Sequence, residues 1–115
     1  MTALLLASGI GILTATGVWL VLRPRTFDVI VGLTLLSYAV NLLIFAAGRP
    51  GTGAGAAPIL RPDLAPSLAN YADPLPQALV LTAIVISFAM TAILTALAVR
   101  SFGTGGSDHV EGREP

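Results

Sequence analysis

Three stretches of this chain, residues 3–22, 29–47 and 77–99, carry no formally charged side chain, and the six basic and six acidic residues all lie outside them. Each stretch holds about 20 residues, which at ~1.5 Å of rise per residue matches the ~30 Å hydrocarbon core of a bilayer. The feature therefore predicts an all-α integral membrane protein with three transmembrane helices. With 55% hydrophobic and 10% charged residues, there is too little polar surface to coat a soluble globule. The first stretch has no basic residue before it and exceeds the ~7–15-residue apolar core of a secretory signal, so it reads as a retained helix.

The same feature limits the chemistry. An intramembrane carboxylate, lysine or arginine by default marks an ion path or proton relay. A chain with none in any span is not expected to pump ions alone. Cysteine is absent, which excludes disulfides and thiolate metal sites, and no cofactor or metal centre is expected. No basic cluster supports nucleic-acid binding, and no nucleophile–base pair or phosphate loop supports an enzyme.

Odd-numbered spans place the first loop and the C-terminal tail on one side. Arg23, Arg25, Arg100 and Arg113 lie there, whereas the opposite side holds Arg49 and Arg61. The positive-inside bias then predicts an outer N-terminus and a cytoplasmic C-terminus. One three-helix domain is expected over residues 1–100, with helices near 3–22, 29–47 and 74–100 and an irregular outer loop over 48–73. A disordered tail is expected over 101–115, where His109 is a solvated residue without a metal role. The loop's four glycines and five prolines between residues 48 and 75 oppose regular structure. Tyr71 in this loop suits the membrane interface.

Within the spans, small and weakly polar residues recur at helical spacing. Ala3, Ala7, Gly11 and Ala15 repeat every four residues, a seam that lets another helix approach. Thr34, Ser37, Tyr38 and Asn41 share one face of the second helix. Asn41 carries the largest polar penalty, since its amide needs partners in the membrane, supplied by a neighbouring helix, its own backbone or a water path. Ala83, Ser87, Thr91 and Thr95 form a second four-residue repeat, for which packing is the default reading. Asp28 suits a cap on the second helix. Asp73 suits the N-cap of the third, with Pro74 and Pro76 tolerated in a first turn whose N–H groups have no intrahelical partner.

The run YADPLPQALVLTAIVISF at residues 71–88 closely resembles the signature of the C subunit of Mrp-type cation/proton antiporters, which are assembled from several different subunits. VGLTLLS at residues 31–37 and the Pro58-Ile59-Leu60 stretch add to a resemblance that covers nearly the whole chain except the tail. It implies a bacterial plasma-membrane complex in which large antiporter-like polytopic subunits, lipid, and the exchanged protons and sodium or another monovalent cation are the partners. The C subunit is similar to the K-type small membrane subunit of respiratory complex I. In those relatives two helices carry glutamates thought to serve proton transfer, at positions that align here with Thr34 and Met90. Neither residue exchanges a proton near neutral pH.

The resemblance thus implies a non-titrating subunit. Thr34, Ser37, Asn41, Gln77, Thr82 and Ser87 are the candidates for lining a hydrated ion path, with Thr82 foremost and Thr82→Val expected to slow exchange. Gly11, Gly32, Asp73, Pro74 and Pro76 are structural candidates. Two alternatives stay open: a purely structural or assembly subunit, and a K-type subunit of a complex I-like enzyme.

Overall fold

The computed structural model describes residues 1–48, 59, 62 and 73–111. It contains three helices, α1 (Thr2–Val21), α2 (Thr26–Ala47) and α3 (Pro74–Gly105). Each is long and apolar enough to cross a membrane. The chain is therefore an all-α protein with three membrane-spanning-capable helices. Tyr71, Arg49, Arg61 and most of the expected outer loop lie outside the described residues.

The helices run antiparallel in chain order. α1 packs on α2 and α2 on α3, but α1 and α3 do not meet. The arrangement is a single layer, with Cα extents of 64 × 25 × 11 Å. Among the described hydrophobic residues only Ala39 and Val80 are buried, and large apolar side chains such as Leu4, Ile12, Leu81 and Phe88 stand exposed. In lipid such exposure carries no hydrophobic penalty, so helix contact rests on close packing and polar contacts.

Close packing is concentrated where α1 crosses α2. A Cβ added to Gly32 would stand 2.7 Å from the Gly17 carbonyl oxygen and 2.8 Å from the Val21 backbone nitrogen. Gly17 in turn has no room, with Leu36 Cγ at 2.8 Å and the Gly32 carbonyl oxygen at 3.0 Å from its added Cβ. The two backbones touch because both residues lack a side chain. Gly32 thus has the structural role expected of it, and its partner Gly17 belongs to none of the expected seams. The seam of Ala3, Ala7, Gly11 and Ala15 is exposed instead, with nothing within 4 Å of a Cβ on Gly11. It does not face α2.

The helix ends differ from expectation in two places, the start of α2 and the end of α3. α2 begins at Thr26, three residues early, with Arg25 at its N-cap position and no side-chain cap. Asp28 lies in the first turn, where it suits the positive helix end, and its carboxylate accepts from Arg23 Nε at 3.0 Å. The Arg23 guanidinium also lies 4.8 Å from the centre of the Trp19 ring, tying the hairpin to the end of α1. At the far end of α2 and start of α3 the expectation holds. Asp73 is the N-cap of α3, its Oδ1 accepting from the Leu75 N–H at 3.0 Å, with proline in the first turn. Pro76 lies against Gly48, whose added Cβ would stand 3.2 Å from the proline ring.

The second difference corrects the expected end at residue 100 and, over residues 101–111, the expected disordered tail; residues 112–115 of that tail lie outside the described residues. α3 continues to Gly105, and Gly106 closes it in the left-handed region at φ 71°, its N–H donating to the Phe102 carbonyl at 2.8 Å. A helix of 32 residues is ~48 Å long, so its final turns extend past a ~30 Å hydrocarbon core. The chain then turns back to the α1–α2 loop. Asp108 and Val110 pair with Thr26 and Pro24, and His109 is half-buried opposite Arg25 instead of solvated.

Candidate functional site

The polar face of α2 and the hydroxyl-bearing face of α3 meet in a crevice. A cavity of about 710 Å³ is lined by Thr34, Ser37, Tyr38 and Asn41 from α2 and by Ser87 and Thr91 from α3, among apolar neighbours such as Phe45 and Val80. It adjoins a second cavity of about 720 Å³ toward the loop side, which shares Thr34, Tyr38 and Thr91 and ends at Arg25 and Asp108. Ser37, Asn41 and Ser87 also line a cleft of about 390 Å³. These three residues therefore reach more than one opening along the line where the helices touch.

This placement follows from helical spacing. Positions 34, 37, 38 and 41 fall on one side of α2, and positions 83, 87, 91 and 95 on one side of α3. Thr34, Ser37, Asn41, Ser87 and Thr91 are half-buried along this line, so the facing helices partly shield their hydroxyls and the amide from hydrocarbon, while Tyr38 and Thr95 remain exposed at its edge. Thr34 Oγ1 donates to the Ile30 carbonyl at 2.9 Å and Ser37 Oγ to the Leu33 carbonyl at 3.0 Å. Thr95 does the same toward Thr91 at 2.8 Å. Each donor is thus satisfied within its helix, while the hydroxyl oxygen keeps acceptor capacity toward the crevice. Such a surface can hold water or coordinate a cation transiently. It offers no group that stores a proton near neutral pH.

Thr34, Ser37, Asn41 and Ser87 are brought together as a set. Gln77 is half-buried near the start of α3 and does not line the crevice. Thr82 is exposed on another side of α3, its hydroxyl donating to the Ala78 carbonyl at 3.3 Å. Met90 is 53% exposed and outside the crevice, so the two positions aligned with glutamates of the complex I subunit have different surroundings. Tyr38 and Thr91 join the site although neither is among the path candidates. Their signal lies in the two polar repeats. Among the described residues no group of three metal-binding side chains occurs.

Comparison with known proteins places this geometry in a family. The family model described as NADH-ubiquinone/plastoquinone oxidoreductase chain 4L matches residues 5–114. The chain belongs to this family. It is 60% identical to the C subunit of a probable K⁺/H⁺ antiporter of Rhizobium meliloti over 111 residues, covering 96% of this chain and 95% of the relative. It is 45% identical to the C1 subunit of a Na⁺/H⁺ antiporter of Staphylococcus aureus over 101 residues, covering 88% and 84%.

Solved structures agree on the fold. A chain of the Mrp complex from Dietzia sp. DQ12-45-1b superposes with a TM-score of 0.72 at 44% identity, covering 95% of this chain and 74% of that one. A chain of the membrane-bound sulfane sulfur reductase, an archaeal respiratory membrane complex, superposes at 0.78 with 32% identity, covering 96% and 97%. The two antiporter relatives and the Mrp complex bear out the resemblance carried by residues 71–88. The 4L model and the respiratory complex bear out the kinship with complex I-type subunits.

Proposed function

We propose that this chain is the small, non-titrating C subunit of a multisubunit monovalent cation/proton antiporter in a bacterial plasma membrane, and that its α2–α3 crevice borders a hydrated ion route. The names of its relatives in Rhizobium meliloti and Staphylococcus aureus support the complex. One observation carries the route. At a depth without charged residues, Thr34, Ser37, Asn41 and Ser87 line one crevice, the arrangement needed to hold water between ionisable groups supplied by neighbouring subunits. The chain itself has a transport role with no catalytic step. The arginine distribution supports an outer N-terminus and a cytoplasmic first loop and C-terminal tail.

The test is exchange by the whole complex in inverted vesicles, read as cation-induced collapse of a proton gradient. Asn41→Leu and Thr34→Val should slow exchange several-fold at unchanged complex yield, whereas Thr82→Val, outside the crevice, should have a smaller effect. Normal exchange in both crevice variants would refute the route. The subunit would then be structural, a reading favoured by the hydroxyls that already bond their own helix. Affinity purification from native membranes separates the remaining alternative. Recovery of large antiporter-like subunits supports the proposal, and recovery of quinone-reducing subunits would indicate a respiratory complex.

A further inference from the structure

The tail that turns back from α3 spans the end of the crevice. Thr26 N–H donates to the Asp108 carbonyl at 2.8 Å, and Val110 N–H donates to the Pro24 carbonyl at 2.8 Å. His109 stands opposite Arg25 in an antiparallel bridge. Arg25 Nε lies 3.5 Å from Asp108 Oδ2, and both side chains line the end of the 720 Å³ cavity. The turn depends on Gly106, whose positive φ is strained for any residue with a Cβ.

We propose that residues 106–110 form a reversible clasp that ties the end of α3 to the α1–α2 loop and sets how far the loop-side crevice opens. Two geometrical facts support a gating role for this contact. α3 packs on α2 and has no contact with α1, and the clasp joins its C-terminal end to the α1–α2 loop. The cavity beside the clasp is bounded by α2 and α3 together, so a shift of α3 away from α2 changes its width. The contact is also small enough to open. It consists of two backbone hydrogen bonds and an ion pair whose Arg25 side chain is 60% exposed.

The absence of cysteine from this chain permits a direct test in the assembled complex in native membranes. Opposed residues of an antiparallel bridge have Cα atoms ~4.5–5.5 Å apart, within disulfide range. Arg25→Cys with His109→Cys should therefore form an intrachain disulfide under mild oxidation. Its failure to form would overturn the clasp.

The second arm follows a reporter thiol, Thr95→Cys, on the wall of the loop-side cavity. Its labelling by a water-soluble maleimide should quicken at least threefold when Gly106→Val and Asp108→Ala break the clasp. Equal labelling with and without these changes would overturn control of the crevice, as would absence of labelling in every variant, since a neighbouring subunit would then seal it. If the double variant lowers complex yield, Arg25→Ala provides the milder break, judged by the same rate comparison. Neither arm depends on ion exchange, so the clasp and the antiporter proposal can fail separately.

Discussion

Replacing Gly32 by alanine should separate α1 from α2, and its cost can be isolated from the general effect of alanine in a helix. The added Cβ would lie 2.7 Å from the Gly17 carbonyl oxygen and 2.8 Å from Val21 N and Cγ2, whereas ordinary contact starts near 3.4 Å. Two of these obstacles are backbone atoms that no rotamer change can move. The helices must therefore part by about 0.7 Å at this point. A gap of that size forfeits roughly a quarter to a half of each affected dispersion contact, consistent with the ~1–3 kcal/mol cost of overpacking. Alanine also favours the helix by up to ~1 kcal/mol over glycine, and Gly11→Ala shares this gain with open space around its Cβ. The difference between the two variants should thus be about 1–3 kcal/mol, or roughly 5- to 150-fold in the pairing equilibrium.

Energy transfer can measure that difference in the purified chain in bicelles. The only tryptophan, Trp19, is the donor on α1, and a dansyl group on a cysteine introduced at the exposed Val40 is the acceptor on α2. Titration with a denaturing detergent then reports helix separation. Gly17→Ala should fall between the other two, because its nearest obstacle is the Leu36 side chain, which can yield. A midpoint for Gly32→Ala within ~0.5 kcal/mol of Gly11→Ala would refute close backbone contact as the basis of the hairpin.

Other outcomes follow from single features. Asp73→Ala should weaken the start of α3 by about 0.5–2 kcal/mol through loss of the cap on the Leu75 N–H, seen as faster amide exchange at Leu75 and Gln77, while Asp73→Asn should retain most of the protection. Arg23→Ala removes a partly exposed ion pair with Asp28 and the stacking on Trp19. It should destabilise the hairpin by only about 1 kcal/mol or less, with the Asp28 part shrinking in high salt. For topology, a cysteine at Glu111 should react with an impermeant reagent in inverted vesicles and remain protected in intact cells; the reverse pattern would invert the proposed orientation.

The fold is legible in the sequence because one strong signal governs it. In a bilayer only helices and closed barrels satisfy all backbone groups, and three charge-free runs of about 20 residues fit helices and are too few to close a barrel. The crevice is legible in part, because Thr34, Ser37 and Asn41 share a helical face whatever lies opposite. Which α3 residues oppose them depends on the rotation of that helix, which spacing alone does not supply. Ser87 therefore emerges as a candidate, Thr91 reads as packing and Thr82 gains a prominence that the structure does not support. The Gly17–Gly32 contact eludes a reading based on four-residue repeats because it pairs one glycine from each helix. The tail is illegible for a different reason. Its glycines suggest disorder, but the helix carries them as far as Phe102 and Thr104 extend it, with Thr104 Oγ1 donating to the Arg100 carbonyl at 3.2 Å. The segment beyond finds its partners at Pro24 and Thr26, remote in sequence.

The absence of any contact between α1 and α3 has a further consequence. A layer one helix deep is a partition with two faces and almost no interior of its own. Damage on one face is then felt by whichever neighbour borders that side, while the other side is left intact. Second-site suppressors of substitutions along α2 should accordingly sort into two groups by face, and would identify which subunit stands on each side of the wall.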